Sequence, residues 1–391
     1  MSDFVYLDHS ATTPTDPRVV DYMLPYWTQT FGNASSLHSA GKAAADALNA
    51  SRETVSGILN CDPAEVIFTS GGTESNNLAL RGVSDAVKAR GRGNHIIITA
   101  VEHHAVLDVA KAMAEQGFDV TFLPVDEYGR VTPQQVVDAL RPDTIMVSVI
   151  YANNEVGTIN PVAEIGAALK ARRVRFHIDA VQAPGWLPLD VKALNCDMLS
   201  LSAHKFYGPK GIGALYARRA LPIQAQMLGG GQQFHRRSGT EPVALIVGFA
   251  AALALADSER DANTQRLTPM RDALIRQLLQ MIPEAQLTGH PVERLPGHTS
   301  FAMQGLNGDS LLLDLNEMGF GASGGSACTT GQQEPSHVLV AMGIHIDRLI
   351  GQVRFVLGKH TTQAELDRFV YQLAAIVERH RAQTPALLTQ T

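Results

Sequence analysis

The sequence predicts an α/β protein: a mostly parallel central sheet with helices on both faces, followed by a smaller C-terminal α/β domain. Three observations predict it. Short, near-continuous apolar runs rich in β-branched residues recur from about residue 60, and strands buried on both faces read this way. Helical patterns separate the runs, as strand–helix–strand crossovers require. After the glycine triplet at 229–231 the pattern changes to one long helical region and then a shorter set of strands and helices.

The elements follow in order. VIFT (66–69) is a strand, and a helix opens near Thr73. HIIIT (95–99) precedes a helix through Ala105–Ala114, and VTFLPV (120–125) precedes one from Thr132 to Leu140. TIMVSVI (144–150) leads to a helix over Val162–Ala171. VRFHID (174–179), MLSLS (198–202) and GALYA (213–217) complete the sheet. A helical region from Pro242 to Leu279 is expected to break near Asp257–Asn263. TSFAMQ (299–304), a helix over Asp309–Met318, VRFVLG (353–358) and a final helix from Gln363 to Arg381 form the smaller unit. The polar tail AQTPALLTQT is expected to fray.

Composition excludes several classes. The chain has 391 residues, 45% hydrophobic and 18% charged, enough apolar material for a large core. A formal net charge of -6 gives no sign of a nucleic-acid or anionic-membrane partner. No apolar run approaches the roughly 18 residues of a membrane span, and the N-terminus has no basic segment leading into an apolar one. A soluble, cytoplasmic protein is expected. The three cysteines, Cys61, Cys196 and Cys328, are far apart and form no CxxC pair, which argues against a disulfide framework or zinc. Cys61, in a turn before Asp62-Pro63, and Cys196, at the start of a buried strand, read as structural.

Ligands of open α/β sheets collect beyond the carboxyl ends of the strands. After VIFT comes SGGTESNN (70–77), where Gly72 and Thr73 open a helix whose backbone N–H groups suit a phosphate. The glycine spacing is neither a dinucleotide fingerprint nor a P-loop. After HIIIT come His103 and His104, adjacent and therefore divergent on a helix. Such a histidine faces solvent, stacks on a flat cofactor or shuttles protons. Asn153 and Asn154 follow TIMVSVI and also suit a plain turn. Asp179 closes an apolar strand, and its carboxylate wants a positive partner such as a protonated pyridine nitrogen. Gln182, three residues on, can donate to a phenolate-like oxygen. Lys205 lies in SLSAHKFYGPKG (200–211), just past an apolar strand. Burial lowers a lysine pKa, and a neutral amine is what a Schiff base to an aldehyde cofactor needs. Taken together, these are the parts that pyridoxal 5′-phosphate (PLP) requires.

YLDHSATTP (6–14), FTSGGTESNN (68–77), EHHAVLD (102–108), NNEVGT (153–158), HIDAVQ (177–182), SLSAHKFYGPKG, RRSGTEP (236–242), GGSACTTG (324–331) and VRFVLG occur in one order. The whole resembles a cysteine desulfurase of the class V aminotransferase family, among the fold-type I PLP-dependent transferases. The form SACT is similar to the group I, NifS/IscS-like branch. The resemblance implies that Lys205 forms the Schiff base, Asp179 pairs with the pyridine nitrogen and Gln182 meets the ring hydroxyl oxygen. It implies that His103 stacks on the ring and shuttles protons, while His104 falls on a position unused in the chemistry. Gly72, Thr73, Ser202 and His204 would hold the phosphate. Thr240 would reach the phosphate of a second subunit in a homodimer. Asn154, also placed at the cofactor, and Arg354 would take the substrate carboxylate. Cys328, in a glycine-rich loop, would accept sulfur from L-cysteine as a persulfide, leave L-alanine, and pass the sulfur to an acceptor protein. That acceptor could serve iron–sulfur cluster assembly or another thiolation pathway. The implied domains are residues 12–260, binding the cofactor, and residues 1–11 with 261–391, carrying the cysteine loop. A selenocysteine lyase, another PLP-dependent carbon–sulfur lyase or an aminotransferase would use the same cofactor site. Ala34 in FGNASS, where the family commonly has proline, and Gly331–Gln333 depart from the pattern.

Overall fold

Strands form where the sequence is apolar and β-branched. In the computed structural model, which describes residues 4–324 and 335–383, they are β1 (Val5–Tyr6), β2 (Val66–Thr69), β3 (His95–Thr99), β4 (Asp119–Leu123), β5 (Thr144–Ile150), β6 (Arg175–Asp179), β7 (Met198–Ser202), β8 (Gly213–Ala217), β9 (Ala285–Leu287), β10 (His298–Met303), β11 (Phe320–Gly321) and β12 (Gln352–Val356). Cys328 lies outside the described residues. The seven strands from β2 to β8 make one sheet in the order β2-β8-β7-β6-β5-β3-β4. Every residue of β2, β3, β7 and β8 is buried, which explains their unbroken apolar runs.

The sheet is parallel from β7 to β4, but β8 runs antiparallel to both neighbours. The connection from β7 to β8 is too short for the crossover a parallel pair needs. Helix Ser39–Leu59, which the strand pattern did not reveal, lays Ala44, Leu48, Val55 and Leu59 against the core and ends at Asn60 in the left-handed region (φ 55°). Cys196 is buried in the turn ahead of β7 rather than on the strand, which starts at Met198.

The expected break at Asp257–Asn263 does not occur: Val243–Met281 is one helix. Its first half packs Ile246, Phe249 and Leu253 with Phe176 and Leu201 of the large sheet and with Phe206 just beyond β7. Its last half packs Leu267, Leu274 and Leu278 with Phe301, Phe355 and Phe369 of a second core. The charged residues between are the solvated span of a helix that bridges two cores; there Arg260 pairs with Asp257 at 2.9 Å and Glu259 with Arg18 at 2.6 Å. The second core holds the antiparallel sheet β12-β10-β9. The N-terminal β1 pairs in parallel with β11, and Asp8 bridges to Val356 at the end of β12.

Candidate cofactor and substrate site

The parallel strands place their carboxyl ends on one side of the large sheet, and most of the expected residues meet there. Asp179 ends β6 and is 3% exposed. Its Oδ2 accepts from Asn76 Nδ2 at 2.7 Å and its Oδ1 from the Val181 N–H at 3.1 Å. Two donors on a buried carboxylate satisfy its oxygens and keep it oriented.

Lys205 closes a single 3-10 turn, Ala203–Lys205, directly after β7. Its Nζ donates to the backbone carbonyls of Ser10 and of Ala11, the latter at 2.7 Å. Gln182 donates from Nε2 to the same Ser10 carbonyl at 2.9 Å. The N-terminal segment therefore ties the lysine and the glutamine together. Thr13 continues the contact, its N–H and hydroxyl both donating to the His204 carbonyl, at 2.8 Å and 2.9 Å.

His103 caps helix His104–Glu115: its Nδ1 accepts the Ala105 N–H at 3.0 Å, so neutral His103 carries its proton on Nε2. Burial holds its pKa below the usual histidine value, with the Asp179 charge working against that shift and the Lys205 charge reinforcing it. His104 is exposed, and its Nδ1 lies 3.2 Å from Asp108 Oδ2.

Gly71 and Gly72 open helix Gly72–Asn77. A Cβ on Gly72 would lie 2.8 Å from Val181 Cγ2 and 3.4 Å from Ser202 Cβ. Only glycine lets this helix N-terminus approach the ends of β6 and β7 so closely. Ser202 is 2% exposed, and His204, whose Nδ1 lies 3.1 Å from Thr12 Oγ1, has its pKa pushed down to about 4 by burial and then by Lys205. Thr73 is exposed at the same terminus.

Asn154 and Arg354 come together. Arg354, 3% exposed on β12, donates from Nη1 to the Asn154 carbonyl at 3.0 Å and from Nη2 to Asp8 Oδ1 at 3.2 Å. Its Nε is buried without a partner. His298 Nε2 reaches the same Asn154 carbonyl at 3.1 Å. Gly157 (φ 76°) makes room for that histidine, since a Cβ there would lie 2.6 Å from the ring. Thr240 is not brought to this cluster: it sits exposed beside Trp27, Phe31 and Glu241.

Three contributors escaped the sequence reading. Asn76 lies mid-helix, where an asparagine shows no sign of holding Asp179. The carbonyls of Ser10 and Ala11 carry no side-chain signal. Glu102, fully buried, accepts at Oε1 from Thr99 Oγ1 (2.6 Å) and the Ile150 N–H (2.8 Å), and burial pushes its pKa up to about 8. Its place beside His103 in EHHAVLD was the available signal.

The residues fit PLP. Ser10 Oγ and Asn76 Oδ1 are buried without hydrogen-bond partners, one beside Lys205 and the other beside Asp179. A carboxylate, a lysine amine, an imidazole and a glycine-opened helix N-terminus converge, as a phosphorylated pyridine aldehyde requires.

This arrangement of sheet and site defines a PLP-dependent α/β enzyme, and the chain belongs to the aminotransferase class-V family, whose pattern matches residues 5–369. It is 46% identical over 381 residues to cysteine desulfurase IscS of Methanosarcina thermophila, covering 97% of this chain and 94% of that one. It is 44% identical to cysteine desulfurase IscS of Clostridium botulinum over 387 residues, covering 98% and 97% of the two chains. Among solved structures, a NifS-like protein superposes with a TM-score of 0.90 at 35% identity, covering 96% of this chain and 100% of the other. SspA in complex with cysteine superposes with a TM-score of 0.78 at 33% identity, covering 92% and 100%.

Proposed function

We propose that this protein is a PLP-dependent cysteine desulfurase that converts L-cysteine to L-alanine and carries the sulfur as a persulfide on Cys328. The observation that carries the reading is the convergence of Lys205, Asp179, His103 and the Gly72 helix terminus at one set of strand ends, in a chain 46% identical to a cysteine desulfurase. The SspA neighbour, solved with cysteine, supports the substrate.

Lys205 would hold the cofactor through Nζ, Asp179 its ring nitrogen, Gln182 its ring oxygen, and Gly72, Thr73, Ser202 and His204 its phosphate. Bound PLP supplies an electron sink that makes the substrate α-proton acidic. Asn154 and Arg354 orient the substrate through its carboxylate. Lys205 Nζ takes the α-proton, and His103 Nε2 moves a proton at the substrate sulfur. The Cys328 thiolate attacks that sulfur: the S–S bond forms as the C–S bond breaks, and the bonding pair stays with the substrate carbon. Protonation of that carbon, with return of a proton from Lys205 Nζ to the α-carbon, gives alanine.

The second subunit is part of the proposal. Tyr22, Trp27, Phe31, Leu228 and Phe234 are all more than 45% exposed, and Thr240 lies beside Trp27 and Phe31. Exposed apolar side chains of this kind support a homodimer in which Thr240 serves the neighbouring site. The two apolar cores support a division into residues 12–260 and residues 1–11 with 261–391. Among the described residues no helix is long and apolar enough to cross a membrane. The described cysteines, Cys61 and Cys196, are unpaired, which supports a cytoplasmic location. The sulfur passes to an acceptor protein serving cluster assembly or another thiolation pathway.

Mass spectrometry after cysteine treatment tests the reading. Sulfur added on Cys328 is expected, together with loss of alanine formation in Cys328→Ala. Lys205→Ala should lose the cofactor absorbance band. Undiminished alanine formation in Cys328→Ala would overturn the persulfide mechanism.

A further inference from the structure

At the amino ends of the strands, opposite the site described above, the large sheet borders a second cavity of about 510 Å³. That volume lies within the range of small-molecule sites. Lys170, Arg173, Arg175, Lys192 and Arg218 line it, against the single carboxylate of Asp197. The whole chain carries a net charge of -6, so this concentration of cations runs against the balance of the molecule.

Local structure accounts for two of the five. Lys170 complements the carboxyl end of helix Val162–Ala171. Arg218 pairs with Asp197 at 2.7 Å. The others have no such account. Arg175 is half-buried at the start of β6, and its Nη1 reaches only the Ile145 carbonyl at 3.4 Å. Burial and the charges of Arg92, Arg218 and Arg90 bear on it, against Asp197 alone. Arg173 sits in the left-handed region (φ 59°) at the cavity rim. Lys192 donates to the neutral Asn60 Oδ1 at 2.9 Å, while nearby Asp190 is occupied by Asn60 Nδ2 and two backbone N–H groups. Among the described residues, no carboxylate comes within ion-pair distance of Arg173, Arg175 or Lys192.

The cations come from four places: the helix end, β6, the loop before β7 and the segment after β8. Charges spread around a cavity suit an extended anion better than a single phosphate. Val174, Val191 and Leu221 add apolar wall. A concave site of this size favours a small ligand over a flat acidic protein surface.

We propose that this cavity binds a small polyphosphorylated molecule, with adjacent phosphates held by Arg173, Arg175 and Lys192. The test is calorimetric titration of the PLP-loaded protein with inorganic tripolyphosphate, orthophosphate and adenosine triphosphate. Saturable tripolyphosphate binding is expected, at least about tenfold tighter than orthophosphate and weakened by salt. Lys170→Glu with Lys192→Glu, both exposed positions, should weaken it by about tenfold or more. Lys42→Glu with Arg276→Glu, exposed positions outside the cavity, should leave it unchanged. Tighter binding of the nucleotide would assign the apolar wall to its base, and equal binding would make the phosphate chain the whole ligand. No saturable binding at millimolar concentration, equal affinity for orthophosphate, or equal loss in the two double variants would overturn the proposal.

Discussion

Glu102 and His177 are two titratable side chains set under the site with opposite leanings. Glu102 is buried with its pKa raised to about 8 by desolvation, so the fold holds it protonated at neutral pH. The folded state binds this proton more tightly than the unfolded chain, whose carboxyl titrates near the ordinary 4.5. Its contribution is complete below that value and is lost as pH rises through about 8. Glu102→Gln should flatten the decline of melting temperature between pH 5 and 8, read by thermal denaturation across pH. His177, buried between Ser148 Oγ at 2.8 Å and Ser200 Oγ at 2.9 Å, has its pKa lowered to about 3 by burial. Its contribution is present above the ordinary histidine value and is lost as pH falls through about 3. His177→Gln should therefore reduce the acid sensitivity of the melting temperature while leaving the alkaline side unchanged. Neither behaviour was legible from the sequence, because a pKa depends on what the fold packs around the group. Lys205 and Asp179 were legible because each follows an apolar strand, where a charged residue requires a reason.

At the scale of elements, helix Gly72–Asn77 depends on a contact that a single methyl group would block. Gly72→Ala would place Cβ 2.8 Å from Val181 Cγ2 and force the helix terminus away from Ser202. Overpacking of this kind costs about 1–3 kcal/mol. PLP affinity should fall by roughly tenfold or more, measured by titrating apoprotein with the cofactor. An unchanged affinity would remove the phosphate from this helix end. The strand ends were readable because buried parallel strands leave unbroken apolar runs. The run of β8 by itself serves either direction, and the short connection from β7 was the available signal of its reversal. The long helix was misread at its charged span because a local window cannot see that each end packs on a different core. Helix Ser39–Leu59 had apolar residues at helical spacing, but it lies upstream of the strand pattern that drew the reading.

The large-sheet unit and the C-terminal third meet through an apolar cluster of Val101, Val156, Val338 and Leu339 and through buried polar contacts. Glu155, 4% exposed, sits next to Asn154 and accepts from Ser336 Oγ and from Gln352 Nε2, the latter at 3.4 Å. Ser336 caps helix His337–Ala341, and Gln352 opens β12. One carboxylate thus ties the segment carrying Asn154 to two elements of the C-terminal third. Glu155→Ala would leave two buried donors unsatisfied and should destabilise the protein by about 1–3 kcal/mol, measured by chemical denaturation. Glu155→Gln should recover part of that loss. The resemblance made Cys328 readable as a motif, whereas this joint was not, because Glu155 lies far from Ser336 and Gln352 in the chain.

The N-terminal segment carries one more consequence. β1 has its strand partner at Phe320–Gly321, and the Ser10 and Ala11 carbonyls hold Lys205. At translation rates of about 5–20 residues per second, the first strand waits roughly 15–60 s for that partner to emerge from the ribosome. The pocket is therefore completed by an earlier-made segment closing on one made much later. A nascent chain that already contains the lysine, the aspartate and the glycine turn still lacks a finished site, so the enzyme acquires its cofactor geometry only after Phe320 and Gly321 have been made.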